Sequence, residues 1–232
     1  MPDAQLLSIV GIGFLLGARH ALDADHIAAV ATIASERGRS LRDSGLIGLC
    51  WGVGHTVMLL GVGLIIVAFK ITVSEQMAAG FEFLVGLMLV GLGGSLAVRI
   101  VKERWHYHAH EHGGRHHLHL HHHHDQEHHQ HAHRLEGSLK PFAVGMVHGL
   151  AGSAALVLMV ASAARTIGET LLYIAIFGLG SIVGMVLLGT VISVPLTFSA
   201  SAGPGARAAV QGLASLASIA LGLLIIARLS FA

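Results

Sequence analysis

The sequence predicts an all-α polytopic membrane protein of six transmembrane helices, arranged as two inverted three-helix repeats. Three observations lead there. Of 232 residues, 53% are hydrophobic and 12% charged, whereas a soluble domain is nearer a quarter charged. Crossing a bilayer takes roughly 20 apolar residues, and six segments meet that length: about 5–34, 45–69, 78–101, 142–164, 169–194 and 207–229. Finally, short motifs in the first half recur in the second at a nearly constant offset.

The first segment is interrupted by Gly17-Ala-Arg-His-Ala-Leu-Asp-Ala-Asp-His-Ile27, which puts Arg19, His20, Asp23, Asp25 and His26 inside an apolar run. Each such group costs at least ~2.5 kcal/mol at the centre of a membrane helix. They persist there only with partners in a protein interior, so this stretch is expected to bind and pass a cation. On a regular helix of 3.6 residues per turn, His20, Asp23 and His26 share one broad face and Asp25 points away. Either Asp25 pairs elsewhere, with Arg19 the obvious candidate, or the helix is broken here and all four converge. Broken helices are permitted where they line a cavity that satisfies the freed backbone. Arg19 itself has two readings: it neutralises the carboxylates, or it snorkels to an interface.

The second segment carries Gly52-Val-Gly-His-Thr56, which sets His55 and Thr56 among close-approach glycines. The third has Glu82 near its start, either an ion partner or an interfacial carboxylate. The fourth holds His148 in Gly145-x-x-His-x-Leu150, and the fifth ends at Pro195, which fits a helix stop. The 30 glycines, concentrated in the spans, are read as close helix packing rather than ligand contacts.

The repeat rests on three matches. Gly17-x-x-His20-x-Leu22 recurs as Gly145-x-x-His148-x-Leu150, an offset of 128. Gly52-x-Gly54 recurs as Gly178-x-Gly180 at 126, and Gly93 with Ala97-Val-Arg99-Ile recurs as Gly222 with Ile226-Ala-Arg228-Leu at 129. Three spans per half is an odd number, so the halves are expected to sit in opposite orientations, a transporter architecture with its site at their meeting point. His148 is then the counterpart of His20. The second half has Ala151, Gly152, Ser153 and Ala154 where the first has Asp23, Ala24, Asp25 and His26. The charged half of the site belongs to the first repeat, with Ser153 a weak ligand or hydrogen-bond donor. Three parts follow: residues 1–101 and 142–232 as the repeats, and 102–141 as the loop between them.

Of 19 histidines, 15 lie between His106 and His133; the others are His20, His26, His55 and His148, all in predicted spans. The tract is low-complexity and cannot build a core. It reads as a flexible metal-buffering segment whose capture weakens below about pH 6.5. Lys and Arg are ten against three in favour of the loops that would share its side. That places the loop in the cytoplasm and both termini outside.

Composition also excludes. Cys50 is the only cysteine, so there is no disulfide framework or thiolate metal cluster. No basic stripe with interleaved aromatics points to nucleic acid. No cleavable signal is expected, because Arg19 to His26 interrupts the apolar run it would need. Neutral imidazole with carboxylate suits a divalent first-row metal: nickel, cobalt, zinc or copper. The metal ligands expected are His20, Asp23, Asp25, His26, His55 and His148, supported by Arg19, Thr56 and Ser153.

Arg19-His-Ala-Leu-Asp-Ala-Asp-His-Ile27 resembles the His-x4-Asp-His signature of the nickel/cobalt transporter (NiCoT) family, with His20 followed after four residues by Asp25-His26. Gly54-His55-Thr56 is similar to that family's second-helix element. Gly145-x-x-His148-Gly-Leu-Ala-Gly-Ser-Ala154 is similar to its short urease-accessory (UreH-type) branch. The resemblance implies a secondary permease for Ni²⁺ or Co²⁺ that requires His20, Asp25 and His26, with the signature helix entering from outside. Longer members have eight spans, one of them before the signature helix; six are counted here.

The expectation is therefore an inner-membrane transporter moving Ni²⁺, and Co²⁺ as well, inwards. It uses no cofactor, and cytoplasmic metallochaperones or urease maturation proteins are its candidate partners. No ATP-binding motif is seen, so gradients or a partner must supply the energy. Efflux is the same-class alternative, since the His-rich loop also resembles that of the efflux branch. A membrane metalloenzyme or a metal sensor is the alternative of another class; an enzyme would need a general base near the metal, for which Glu82 is the one candidate.

Overall fold

The computed structural model describes residues 2–37, 41–104, 106–112, 115–121, 138–151 and 166–230. Apart from one hairpin these are helical: α1 Pro2–His20, α2 Ala24–Arg37, α3 Leu41–Phe69 and α4 Glu75–Arg104, then β1 His106–His112 and β2 Arg115–His121. Helix α5 covers 138–151, followed by α6 Ile167–Ser201 and α7 Pro204–Ser230.

Polarity is inverted relative to a soluble protein. Leu64, Phe69, Leu179, Val191, Phe198, Leu213 and Leu216 are exposed, whereas Ser44, Thr170, Ser181, Ser193, Gln211, Ser215 and Ser218 are buried. Lipid tails are as apolar as leucine, so helices associate through close packing and interhelical hydrogen bonds. The buried hydroxyls supply such bonds: Ser181 Oγ donates to Gly17 O (3.1 Å), Ser215 Oγ to Gly93 O (2.8 Å) and Ser218 Oγ to Leu89 O (2.9 Å). Gln211 Nε2 donates to Ser35 O at 2.8 Å, tying α7 to α2.

Glycines let the backbones meet. A Cβ on Gly17 would overlap the Phe177 carbonyl, and one on Gly145 would overlap that of Trp51. Likewise Gly180 lies on the Phe14 carbonyl and Gly54 on that of Phe142. Each second pair is the first with its partners exchanged at the offsets of 128 and 126 residues found in the sequence. In α4 and α7 the same exchange relates Gly93 on Ser215 O to Gly222 on Gly86 O.

Among the described residues four helices are long and apolar enough to cross a membrane: Leu41–Phe69, Glu75–Lys102, Ile167–Ser201 and Pro204–Ser230. The segment 5–34 is broken at the polar cluster, one of its two readings: it is two helices, α1 and α2, separated by a turn at 21–23. The segment 142–164 is described only as far as residue 151. Pro195 does not stop a helix; it lies inside α6, which runs on to Ser201. Proline removes one donor, whereas ending the helix in an apolar surrounding would free up to four carbonyls, so continuation costs less.

The His-rich tract also differs from a flexible loop over its first part. β1 and β2 pair antiparallel, with His106 opposite His121, His108 opposite His119 and His110 opposite His117. Alternating His-x-His is a period of two, which suits an extended strand. Residues 122–137 lie outside the described residues.

Candidate metal centre

The turn between α1 and α2 builds the centre. The last helical bond of α1 is Ala21 N to Gly17 O; Leu22 N then bonds Arg19 O (2.9 Å) and Asp23 N bonds His20 O (3.1 Å), tightening the chain. A new helix opens when Ile27 N bonds Asp23 O at 3.0 Å. Asp25 thereby lies in the first turn of α2, where free amides and the helix dipole stabilise a negative charge. A continuous helix would have denied it those amides.

Asp25 is not paired with Arg19, which is exposed. Its Oδ1 accepts from the backbone N of His26 (3.0 Å) and lies 3.2 Å from His26 Nδ1. Its Oδ2 lies 2.9 Å from His148 Nε2 on α5. Asp25 thus leaves the face of His20 and Asp23 and joins two imidazoles that are 122 positions apart in the chain.

The other rings close around it. Ring centroids are 4.0 Å apart for His26 and His148, 4.6 Å for His20 and His26, 5.3 Å for His20 and His55, and 5.4 Å for His26 and His55. Two groups of ligand atoms result, each within 4.8 Å: His20, His26 and His55, and Asp25, His26 and His148. Two ligands about 2.1 Å from one ion stand at most about 4.2 Å apart, so small side-chain shifts close either group on a metal. His26 belongs to both.

Burial makes the arrangement costly without a ligand. His26 and His55 are fully buried and His148 is 2% exposed. Among the described residues, His26 Nε2, both nitrogens of His55 and His148 Nδ1 have no hydrogen-bond partner. Each buried unsatisfied group costs about 1–3 kcal/mol. Four free nitrogens around a carboxylate are a donor set for a borderline divalent cation.

Of the other expected site residues, Asp23 is exposed and in neither group, but its carboxylate lies 2.8 Å from His20 Nδ1. That contact orients the ring and leaves Nε2 without this partner, as carboxylates behind metal-binding histidines do. Thr56 Oγ1 donates to Gly178 O at 3.2 Å, so it fastens α3 to α6. Ser153 lies outside the described residues. Glu82 is exposed. Trp51 and Phe177 were not anticipated: Trp51 lies 5.7 Å from His148 and 6.2 Å from His26, and Phe177 lies 5.4 Å from His20. Trp51 stands one helical turn before His55, a spacing that could have marked it.

The fold defines a membrane protein of several apolar helices, and the cluster has the donors of a transition-metal site. The chain belongs to the NicO family, described as high-affinity nickel-transport protein, whose model matches residues 6–230. It is 40% identical over 200 residues to the urease accessory protein UreH of Bacillus sp. (strain TB-90), covering 86% of this chain and 82% of that one. No solved structure matches it. The family is one of nickel transporters, not of enzymes.

Proposed function

We propose that this protein carries Ni²⁺, with Co²⁺ as a second cargo, into the cell through the centre formed by His20, Asp25, His26, His55 and His148. The observation that carries this reading is His26, shared by two three-residue groups amid buried, unpartnered imidazole nitrogens. The ion sheds water against His20, His26 and His55, with Asp23 holding His20. Asp25 then gives up its hydrogen bond to His148, and the ion passes to Asp25, His26 and His148. His26 need not release the ion during the transfer, so no fully unligated state is crossed.

The reading extends to architecture. The spans are six in two inverted halves, the first span being α1 and α2 together and the fourth beginning with α5. The exchanged glycine contacts at Gly17 and Gly145 support that relation. Both termini lie outside and the His-rich tract in the cytoplasm, on the strength of the Lys and Arg distribution. There the tract buffers arriving metal. The name of the UreH relative supports onward delivery to a metallochaperone or to urease maturation proteins.

Radioactive nickel flux in reconstituted vesicles tests this. His26→Ala is expected to abolish nickel accumulation while leaving folded protein in the membrane. Normal transport by that variant would remove the site assignment. Flux only outward from the His-tract side would replace uptake with export.

A further inference from the structure

Helices α2 and α5 meet twice. At one end Asp25 and His26 contact His148; at the other, Lys140 Nζ donates to both carboxylate oxygens of Glu36, each at 2.6 Å. Glu36 lies eleven residues after Asp25 and Lys140 eight before His148, so the two helices run antiparallel for about 12–16 Å. Between the two polar ends Ala29, Val30, Ile33 and Val144 are buried in one apolar cluster. Buried apolar side chains of this kind exclude water and hydrated ions.

The far end has the features of a mouth. The Glu36 side chain is 9% exposed and that of Lys140 37%, so the carboxylate faces inward and the ammonium reaches solvent. Ser95 Oγ on α4 lies 3.4 Å from Glu36 Oε1. Lys140 follows the last histidine of the tract, His133, by only seven residues. Its counterpart at the repeat offset of 128 is Ile12, which is exposed, so the first half has no cation at the equivalent place.

We propose that Glu36 and Lys140 form a gate at the His-tract end of the α2–α5 seam, and that Glu36 takes the departing ion when Lys140 releases it. Paired, the two groups neutralise each other and hold the apolar seam shut. Parted, Glu36 offers a divalent cation an inward-facing carboxylate at the end of the seam. The inference rests on the transport reading above.

The test uses the full chain in vesicles, with Val144→Cys as a reporter in a Cys50→Ser background and a membrane-impermeant maleimide as the probe. Lys140→Gln is expected to speed labelling on the order of tenfold or more, because it removes the charged donor from both Glu36 oxygens. The increase should come only from the face that carries residues 106–133, identified by proteolysis within that tract. Glu36→Gln should act alike and carries the test if Lys140→Gln does not reach the membrane. The exchange Glu36→Lys with Lys140→Glu should return labelling to the parent rate yet fail to transport, because a lysine now occupies the inner position. Unchanged labelling, or equal acceleration from both faces, would overturn the gate; normal transport by the exchanged pair would overturn the role of Glu36. Labelling needs no metal, so its failure is distinct from failure of the nickel reading.

Discussion

His26 and Asp25 are adjacent in the chain yet do different work. His26 has a free Nε2 and is a member of both ligand groups, whereas Asp25 links α2 to α5 through His148. Asp25→Asn keeps the size and a hydrogen-bonding oxygen but removes the charge that compensates a divalent ion. It is expected to abolish nickel uptake with the protein still folded. Asp23→Asn is milder, because Asp23 touches the centre only through His20 Nδ1. Carboxylates in that position are worth about 10–100-fold in metal affinity, so the half-saturating nickel concentration should rise by that factor. Uptake kinetics over a nickel series separate the two variants. At this scale the grouping was legible in the sequence: five of the six residues expected as ligands come together in space. The sixth, Asp23, turns outward because it sits in the turn itself; of the two readings open for Asp25, the broken helix holds and the pairing with Arg19 does not. Arg19 is near in sequence, but α5 is nearer in space.

The element that matters most is the turn at 21–23. Helical periodicity exposed a conflict, since Asp25 could not share a face with His20, and the break resolves it by starting α2 where Asp25 gains free amides. Pro195 shows the opposite error: a local stop signal is outweighed by an apolar surrounding that penalises every unpaired carbonyl. Helix contacts give the sharpest test here. Gly17→Ala and Gly145→Ala each drive a methyl into a facing carbonyl, of Phe177 and Trp51 respectively. Both should lower stability by about 1–3 kcal/mol, and by similar amounts if the halves are related. Gly61→Ala, with nothing within 4 Å, should be neutral or gain up to about 1 kcal/mol from helix propensity. Thermal unfolding midpoints of the purified variants measure all three.

For the whole molecule, the centre and the His-rich tract are separable. The centre is built by α1, α2, α3 and α5, and the tract lies between α4 and α5. Deleting residues 106–133 should leave the initial rate of nickel transport into vesicles largely unchanged while reducing the metal retained on the side that carries the tract. A collapse of the initial rate would make the tract part of the transport path rather than a buffer.

Residue types and spacing alone determined that this is a membrane protein, which side chains are candidates for metal chemistry, and that short motifs of its first half recur in the second. Those properties are local: apolar length, unpaired charge in an apolar run, and recurrence of short motifs. Only the tertiary structure decided that Asp25 meets His148, that His26 is shared between two groups, and that Glu36 meets Lys140. Each of these joins residues more than a hundred positions apart. Such pairings follow from how glycine-lined helices pack against one another, and a periodicity of 3.6 residues carries no record of the neighbouring helix.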